Sequence, residues 1–184
     1  MSNSTLLTNK KLAIIATDGF EQSELLDPKH ELEARGAKTH VISINANQTI
    51  RAWNQKDWGK IVSVDKQIED INLSDYDGII LPGGQMNPDI LRTNKDVIAC
   101  IKSAADQNNI RFIAAICHGP WLLVEAGLVK SKNVTSYPSI RTDLVNAGGN
   151  WQDKTVVIDG KLITSRNPDD IPNFIDAISQ KLSS

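Results

Sequence analysis

The stretch Arg111–Leu128, reading RFIAAICHGPWLLVEAGL, restricts the possible folds of this chain more than any other segment. Phe112–Ile116 is a short apolar, partly β-branched run, the pattern of a strand buried on both faces. From Pro120 to Gly127 apolar residues recur at helical spacing, and Gly127 stands where a helix stop is expected. Between strand and helix lie Cys117, His118 and Gly119. A cysteine there occupies the turn out of a strand and the start of a helix. Helix N-termini present unpaired N–H groups and partial positive charge. Both favour thiolate over thiol, so the position predicts a reactive cysteine. The geometry parallels the nucleophile elbow of serine hydrolases, with cysteine in place of serine.

The rest of the chain alternates strand and helix signals, which predicts an α/β fold with a mainly parallel sheet. Lys11–Thr17, Lys38–Ile44 and Gly78–Leu81 read as strands. A helix runs through Glu31–Arg35 to a stop at Gly36, with Pro28 as either its first turn or a kink. Asp96–Gln107 is helical, Thr155–Ile158 and Leu162–Ser165 form a hairpin around Gly160, and Ile171–Leu182 closes the chain as an amphipathic helix. In a parallel sheet ligands bind beyond the carboxyl ends of the strands. That rule gathers the loops Asp18–Glu24, Pro82–Asp89 and Cys117–Pro120 at one edge.

At 184 residues, one domain spanning 1–184 is expected, with residues 1–10 as a flexible extension. A formal net charge of −2 gives no electrostatic reason to expect nucleic acid or an anionic membrane as partner. The start, MSNSTLLTNKK, lacks the apolar core of a signal peptide, and no apolar run is long enough to span a bilayer, so a cytoplasmic location is expected. The two cysteines, Cys100 and Cys117, form no CxxC, and no His/Cys cluster has zinc-site spacing; neither a metal nor a cofactor is called for. Cys100 falls on an apolar helical face with Val97, Ile98 and Ile101 and reads as core.

A cysteine hydrolase needs a base near its thiol. The three histidines are His30, His40 and His118. His40 lies within a strand and His30 on a helix facing away from the loop edge, which leaves His118 as the base. Glu24, in FEQSELLDP, is a carboxylate placed just after the first strand and flanked by Leu25 and Leu26. Partial desolvation there would raise its pKa, and the protonated form could hydrogen-bond the Cys117 sulfur and hold it as thiolate. Pro82–Gly83–Gly84 can present successive N–H groups to an anion.

Four ordered segments carry a family likeness: AICHGPWLLVEAG, LPGGQMNPD at Leu81–Asp89, TSYPSIRTDLVNAGG at Thr135–Gly149 and TSRNPDD at Thr164–Asp170. Together they resemble the DJ-1/PfpI family, most of all the bacterial branch named after the intracellular protease PfpI, from Lys11 to the last helix. The resemblance implies a Rossmann-like (flavodoxin-like) three-layer α/β sandwich. It implies Cys117 as nucleophile with His118 turned into the same cavity, and Glu24 at the sulfur. Asp89 resembles the acid that orients the histidine from a neighbouring subunit, so a homo-oligomer, dimer or hexamer, is expected, its Asp89 loop projecting outward. Gly84 and His118 are implied to supply oxyanion-hole N–H groups, with Gly83 and Gly119 beside them and Tyr137 lining the pocket; Trp53, Trp58 and Trp121 are candidate apolar walls. Class I glutamine amidotransferases resemble this family but take their base from a later histidine, and none follows His118. The implied activities are those of a glyoxalase, a deglycase of glycated proteins or an intracellular cysteine peptidase. The alternative is a non-enzymatic stress protein, redox-sensing or chaperone-like, built on an oxidisable Cys117.

Overall fold

The computed structural model describes residues 7–184. The chain opens with β1 (Lys11–Ile15), β2 (Phe20–Glu21), α1 (Gln22–Ala34) and β3 (Lys38–Ser43). Then come β4 (Thr49–Asn54), β5 (Asp57–Ser63), β6 (Lys66–Gln67) and β7 (Gly78–Leu81). The central part holds α2 (Met86–Leu91), α3 (Lys95–Asp106), β8 (Phe112–Ile116) and α4 (Pro120–Glu125). It ends with β9 (Asn133–Val134), α5 (Arg141–Asn146), β10 (Asn150–Trp151), β11 (Val156–Asp159), β12 (Leu162–Ser165) and α6 (Ile171–Ser183).

A seven-stranded sheet in the order β11-β12-β8-β7-β1-β3-β6 forms the middle layer. Its pairings are parallel except β11 with β12, the antiparallel hairpin at one edge. Side chains alternate across it with the two-residue strand period. From β8, Phe112, Ala114 and Ile116 join the core under α1 and α6, while Ile113 and Ala115 join the core under α3, α4 and α5. β1 divides in the same way, Leu12 and Ile14 to one side and Ala13 and Ile15 to the other. Each of the Leu, Ile and Phe side chains among these, fully buried, contributes roughly 1.5–3 kcal/mol. The fold is a three-layer α/β sandwich with a mostly parallel sheet, as the alternating sequence predicts.

Several details depart from the sequence reading. Of the expected extension, residues 1–6 lie outside the described residues. From Leu7 the chain is anchored: Leu7 is 1% exposed and its N–H donates to the Arg35 carbonyl. α1 begins at Gln22, so Pro28 lies inside it and Glu24 is in its first turn. A small second sheet, β2-β4-β5, had no counterpart in the sequence reading. Its β4–β5 hairpin turns with Gln55 at φ 57° and brings Trp53 edge-on to Trp58, 5.7 Å between ring centroids. The Met86–Leu91 segment, expected to project outward, is the short helix α2 with Asn87 and Pro88 buried and Asp89 exposed.

Candidate active site

The carboxyl ends of β1, β7 and β8 are neighbours, with Ile14 opposite Ile80 and Leu81 opposite Ala115. The three loops expected at one edge therefore meet. At the end of β8 the chain turns sharply at Cys117, whose φ of 62° is left-handed. For a residue with a Cβ this costs about 1–2 kcal/mol. The turn is held on both sides: the Cys117 N–H donates to the Ser165 carbonyl at 3.0 Å, and its carbonyl accepts from the Tyr137 N–H at 2.8 Å. Gly119 makes the elbow possible by close approach. A Cβ there would lie 2.4 Å from the Leu81 carbonyl oxygen. Pro120 then starts α4, where its missing N–H costs nothing.

Cys117 is 6% exposed and His118 5%. Their side chains fold to the same side, with Nδ1 of His118 3.2 Å from Sγ. The outer ring nitrogen, Nε2, lies 3.2 Å from Ser139 Oγ. Tyr137 stacks on the imidazole at 4.9 Å and Trp121 meets it edge-on at 5.2 Å. Burial lowers the His118 pKa, which favours the neutral ring.

Glu24 is fully buried. Its Oε2 accepts the Gly83 N–H at 2.8 Å, while Oε1 has no hydrogen-bond partner among the described residues. Burial raises its pKa to about 8, against the opposing influence of the Cys117 side chain and the Gly83 N–H. The carboxyl therefore keeps its proton at neutral pH. The Cys117 thiol is pushed up overall, against the expectation for a helix start: burial first and then the neighbouring Glu24 raise it, outweighing the N–H groups of Gly84 and His118 that pull it down. With Glu24 protonated the repulsive contribution vanishes and its O–H becomes a donor. Gly83 is what lets acid and thiol meet: a Cβ there would sit 2.5 Å from Glu24 Oε2 and 2.7 Å from Cys117 Cβ. Cys100, by contrast, is buried with no such neighbours, and burial raises its thiol to about 11.

Cys117 and His118 line a cavity of about 550 Å³ together with Glu21, Trp53, Gln55, Gly84, Gln85, Met86 and Tyr137. A second cavity of about 380 Å³ lies on the other side of His118, lined among others by Met86, Asp89, Trp121 and Ser139. A cavity of similar size, about 510 Å³ between α1 and α6, contains no nucleophile, so size alone does not choose the site. No group of three or more His, Cys, Asp or Glu among the described residues is arranged to hold a metal ion.

The sequence candidates thus fall into groups. Cys117, His118 and Glu24 come together, with Gly84 at the sulfur and Tyr137 on the ring. Gly83 and Gly119 have their N–H groups already bonded, to Glu24 and to the Ile116 carbonyl, and act as spacers. Asp89 lines the second cavity but makes no hydrogen bond with His118 within the chain. Trp53 and Trp121 are walls; Trp58 is half exposed behind Trp53. His40 bonds the Tyr76 hydroxyl at 2.9 Å and His30 is exposed, both away from the site.

Sequence reasoning missed Ser139 and the role of Asn87. Asn87 accepts the Thr17 N–H at 2.8 Å and donates to the carbonyls of Pro82 and Gly83 at 2.9 and 3.1 Å, tying the end of β1 to the glycine turn. Both residues lie inside motifs already singled out, but nothing about a lone Asn or Ser marks which backbone or ring it will meet.

The DJ-1/PfpI family profile matches residues 10–181. The Bacillus subtilis protein named "Putative cysteine protease YraA" is 37% identical over 166 residues, 90% of this chain and 94% of that protein. Deglycase TK1284 of Thermococcus kodakarensis is 35% identical over 161 residues, 88% of this chain and 92% of its own length. A two-domain protein of Anabaena variabilis, with DJ-1/ThiJ/PfpI-like and ferritin-like domains, superposes with a TM-score of 0.87 at 32% identity; the match covers 94% of this chain and 48% of that one. Agreement of this extent, in sequence along nearly the whole chain and in the path of the backbone, establishes that the chain belongs to the DJ-1/PfpI family.

Proposed function

We propose that this protein is a cysteine-dependent enzyme acting on small electrophilic carbonyls, free or attached to proteins by early glycation. The observation that carries the reading is the 3.2 Å contact between Cys117 Sγ and His118 Nδ1 in the wall of the cavity. His118 takes the thiol proton, and the N–H groups of Gly84 and His118 and the Glu24 O–H stabilise the thiolate. With a 2-oxoaldehyde, sulfur adds to the aldehyde carbon and the former carbonyl oxygen takes a proton, giving a hemithioacetal. His118 removes the proton on that carbon and the adjacent ketone oxygen is protonated; reprotonation at the second carbon leaves a 2-hydroxy thioester. Water then cleaves the C–S bond, releasing the 2-hydroxy acid and the thiol, with no external oxidant. On a glycated amine the same attack breaks the C–N bond of the carbinolamine, and the amine leaves with a proton.

Support for a small substrate comes from access. Cys117 is 6% exposed and is reached through a concave cavity, whereas a peptidase must lay an extended backbone against its thiol. The relative named as a deglycase is in keeping with this reading, and the one named as a cysteine protease keeps peptide hydrolysis as its competitor. The reading includes a cytoplasmic, single-domain protein that works as a homo-oligomer, with Asp89 of a neighbouring subunit near His118.

Methylglyoxal supplied at neutral pH should yield lactate, and Cys117→Ser should lower that turnover by roughly 1,000-fold or more. Peptide cleavage without lactate would transfer the site to the peptidase reading. Sulfinic oxidation of Cys117 by dilute peroxide, with no turnover of either substrate, would make it a redox sensor.

A further inference from the structure

The two ring nitrogens of His118 face different cavities. Nδ1 meets Cys117 Sγ at 3.2 Å, and Cys117 lines the cavity of about 550 Å³. Nε2 meets Ser139 Oγ at 3.2 Å, and Ser139 lines the cavity of about 380 Å³. The imidazole lines both cavities, which also share Gln85 and Met86, and it is held by the Tyr137 and Trp121 rings. Ser139 is exposed, and its hydroxyl has no hydrogen-bond partner besides His118 among the described residues. A substrate seated over Cys117 would cover the Nδ1 side of the ring. A general base must nevertheless lose and regain its proton in every cycle. The other charged groups near this face are Asp89, on α2 in the same second cavity, Asp143, which accepts the Trp121 indole N–H at 2.7 Å, and Arg92, which lies 5.1 Å from the Trp121 ring and is paired with Glu125.

We propose that Ser139 is a positioning residue that connects His118 Nε2 to solvent through the second cavity, so that the base resets its proton while substrate occupies the first. In the resting tautomer Nε2–H donates to Ser139 Oγ, and Nδ1 is free to accept. When Nδ1 takes the thiol proton, the Nε2 proton passes to Ser139 Oγ as the hydroxyl's own proton passes to water. The ring returns to neutral with Nδ1–H facing the thiolate. When Nδ1 then gives its proton to the substrate oxygen, Nε2 regains one from water through Ser139 Oγ, which restores the resting tautomer with no other reactant consumed. The inference rests on His118 being the base proposed above, and it adds a route for the proton that avoids the substrate.

The test uses full-length Ser139→Ala and Ser139→Thr. In methylglyoxal turnover, Ser139→Ala should lower kcat by roughly 10- to 100-fold with KM changed by less than about twofold, and Ser139→Thr, which keeps the hydroxyl, should recover most of the loss. Nitrogen NMR of the imidazoles should find Nε2 of His118 protonated in the natural protein and its tautomer balance altered in Ser139→Ala. The NMR measurement needs no turnover, so an enzyme inactive on methylglyoxal would sink the proposed function while leaving Ser139 to be judged on the ring spectra. Unchanged His118 ring signals in Ser139→Ala would overturn the relay. So would an unchanged kcat, or a threonine variant no better than alanine. A large loss in Asp89→Ala beside an unaffected Ser139→Ala would hand Nε2 to the carboxylate and overturn it as well.

Discussion

Glu24 shows how one buried side chain ties stability to chemistry. Its carboxyl titrates near the ordinary value of 4.5 when the chain is unfolded and near about 8 in the fold, because burial disfavours the charge. Between those values the folded state holds a proton that the unfolded state has lost. Stability from this group is therefore full below about pH 4.5 and falls as pH rises, by up to ~1.4 kcal/mol per pH unit, until the folded form ionises near about pH 8. Glu24→Gln cannot ionise. Its urea midpoint should fall less than that of the natural protein between about pH 5 and pH 8, and its thiolate absorbance titration should shift because the O–H donor to sulfur is altered. Parallel midpoints and superimposed thiol titrations would mean that Glu24 is ionised throughout and does not act on Cys117. The burial of Glu24 was only partly legible in the sequence: the Leu25 and Leu26 that follow it point to an apolar setting, but an exposed helix-start carboxylate reads the same way until α1 is seen to pack that turn inward. Ser139 was not legible at all, since its importance lies wholly in a ring brought to it from 21 positions earlier in the chain.

At the scale of elements, the site depends on how β1, β7 and β8 end together, and Asn87 on α2 is the clasp. Asn87→Ala would leave the Thr17 N–H and the Pro82 carbonyl without their buried partner and the Gly83 carbonyl with only the Glu21 N–H at 3.3 Å. The expected loss is about 2–4 kcal/mol, read as a lower denaturation midpoint. Alkylation of Cys117 should slow as well, because the turn that carries the Gly84 N–H is no longer fixed. A variant of unchanged stability and alkylation rate would show that the turn holds without the clasp. β1, β7 and β8 were readable because both of their faces are apolar, which leaves a pattern in a single stretch; β6, two half-buried residues at the sheet edge, left none. The β4–β5 hairpin was not readable either: β5 is largely exposed and carries no alternation, so only its pairing with β4 makes it a strand. α2 was equally hidden, being one and a half turns long with Pro88 inside it.

At the scale of the whole molecule, Asp89 is exposed on α2 beside the cavity that holds the outer face of His118. A self-associating protein could bring a second carboxylate to that cavity. Light scattering should find no major monomer at micromolar concentration. Asp89→Ala should lower turnover by roughly 10- to 1,000-fold while Cys117 alkylation stays largely intact. A fully active monomer would refute the shared site, and a fully active Asp89→Ala oligomer would remove Asp89 from the mechanism. The seven-stranded sheet has one more consequence, for protein engineering. It keeps Glu24 and Cys117 on the α1 and α6 side, while Val97, Ile101 and Ala104 of α3 pack against the opposite face. Substitutions that share no neighbours combine additively to within about 0.5 kcal/mol. The exposed positions of α3, which touch neither β8 nor α4, can therefore be redesigned for heat resistance with little effect on the thiol, and a library confined to them should yield stabilised variants whose reactivity matches that of the parent.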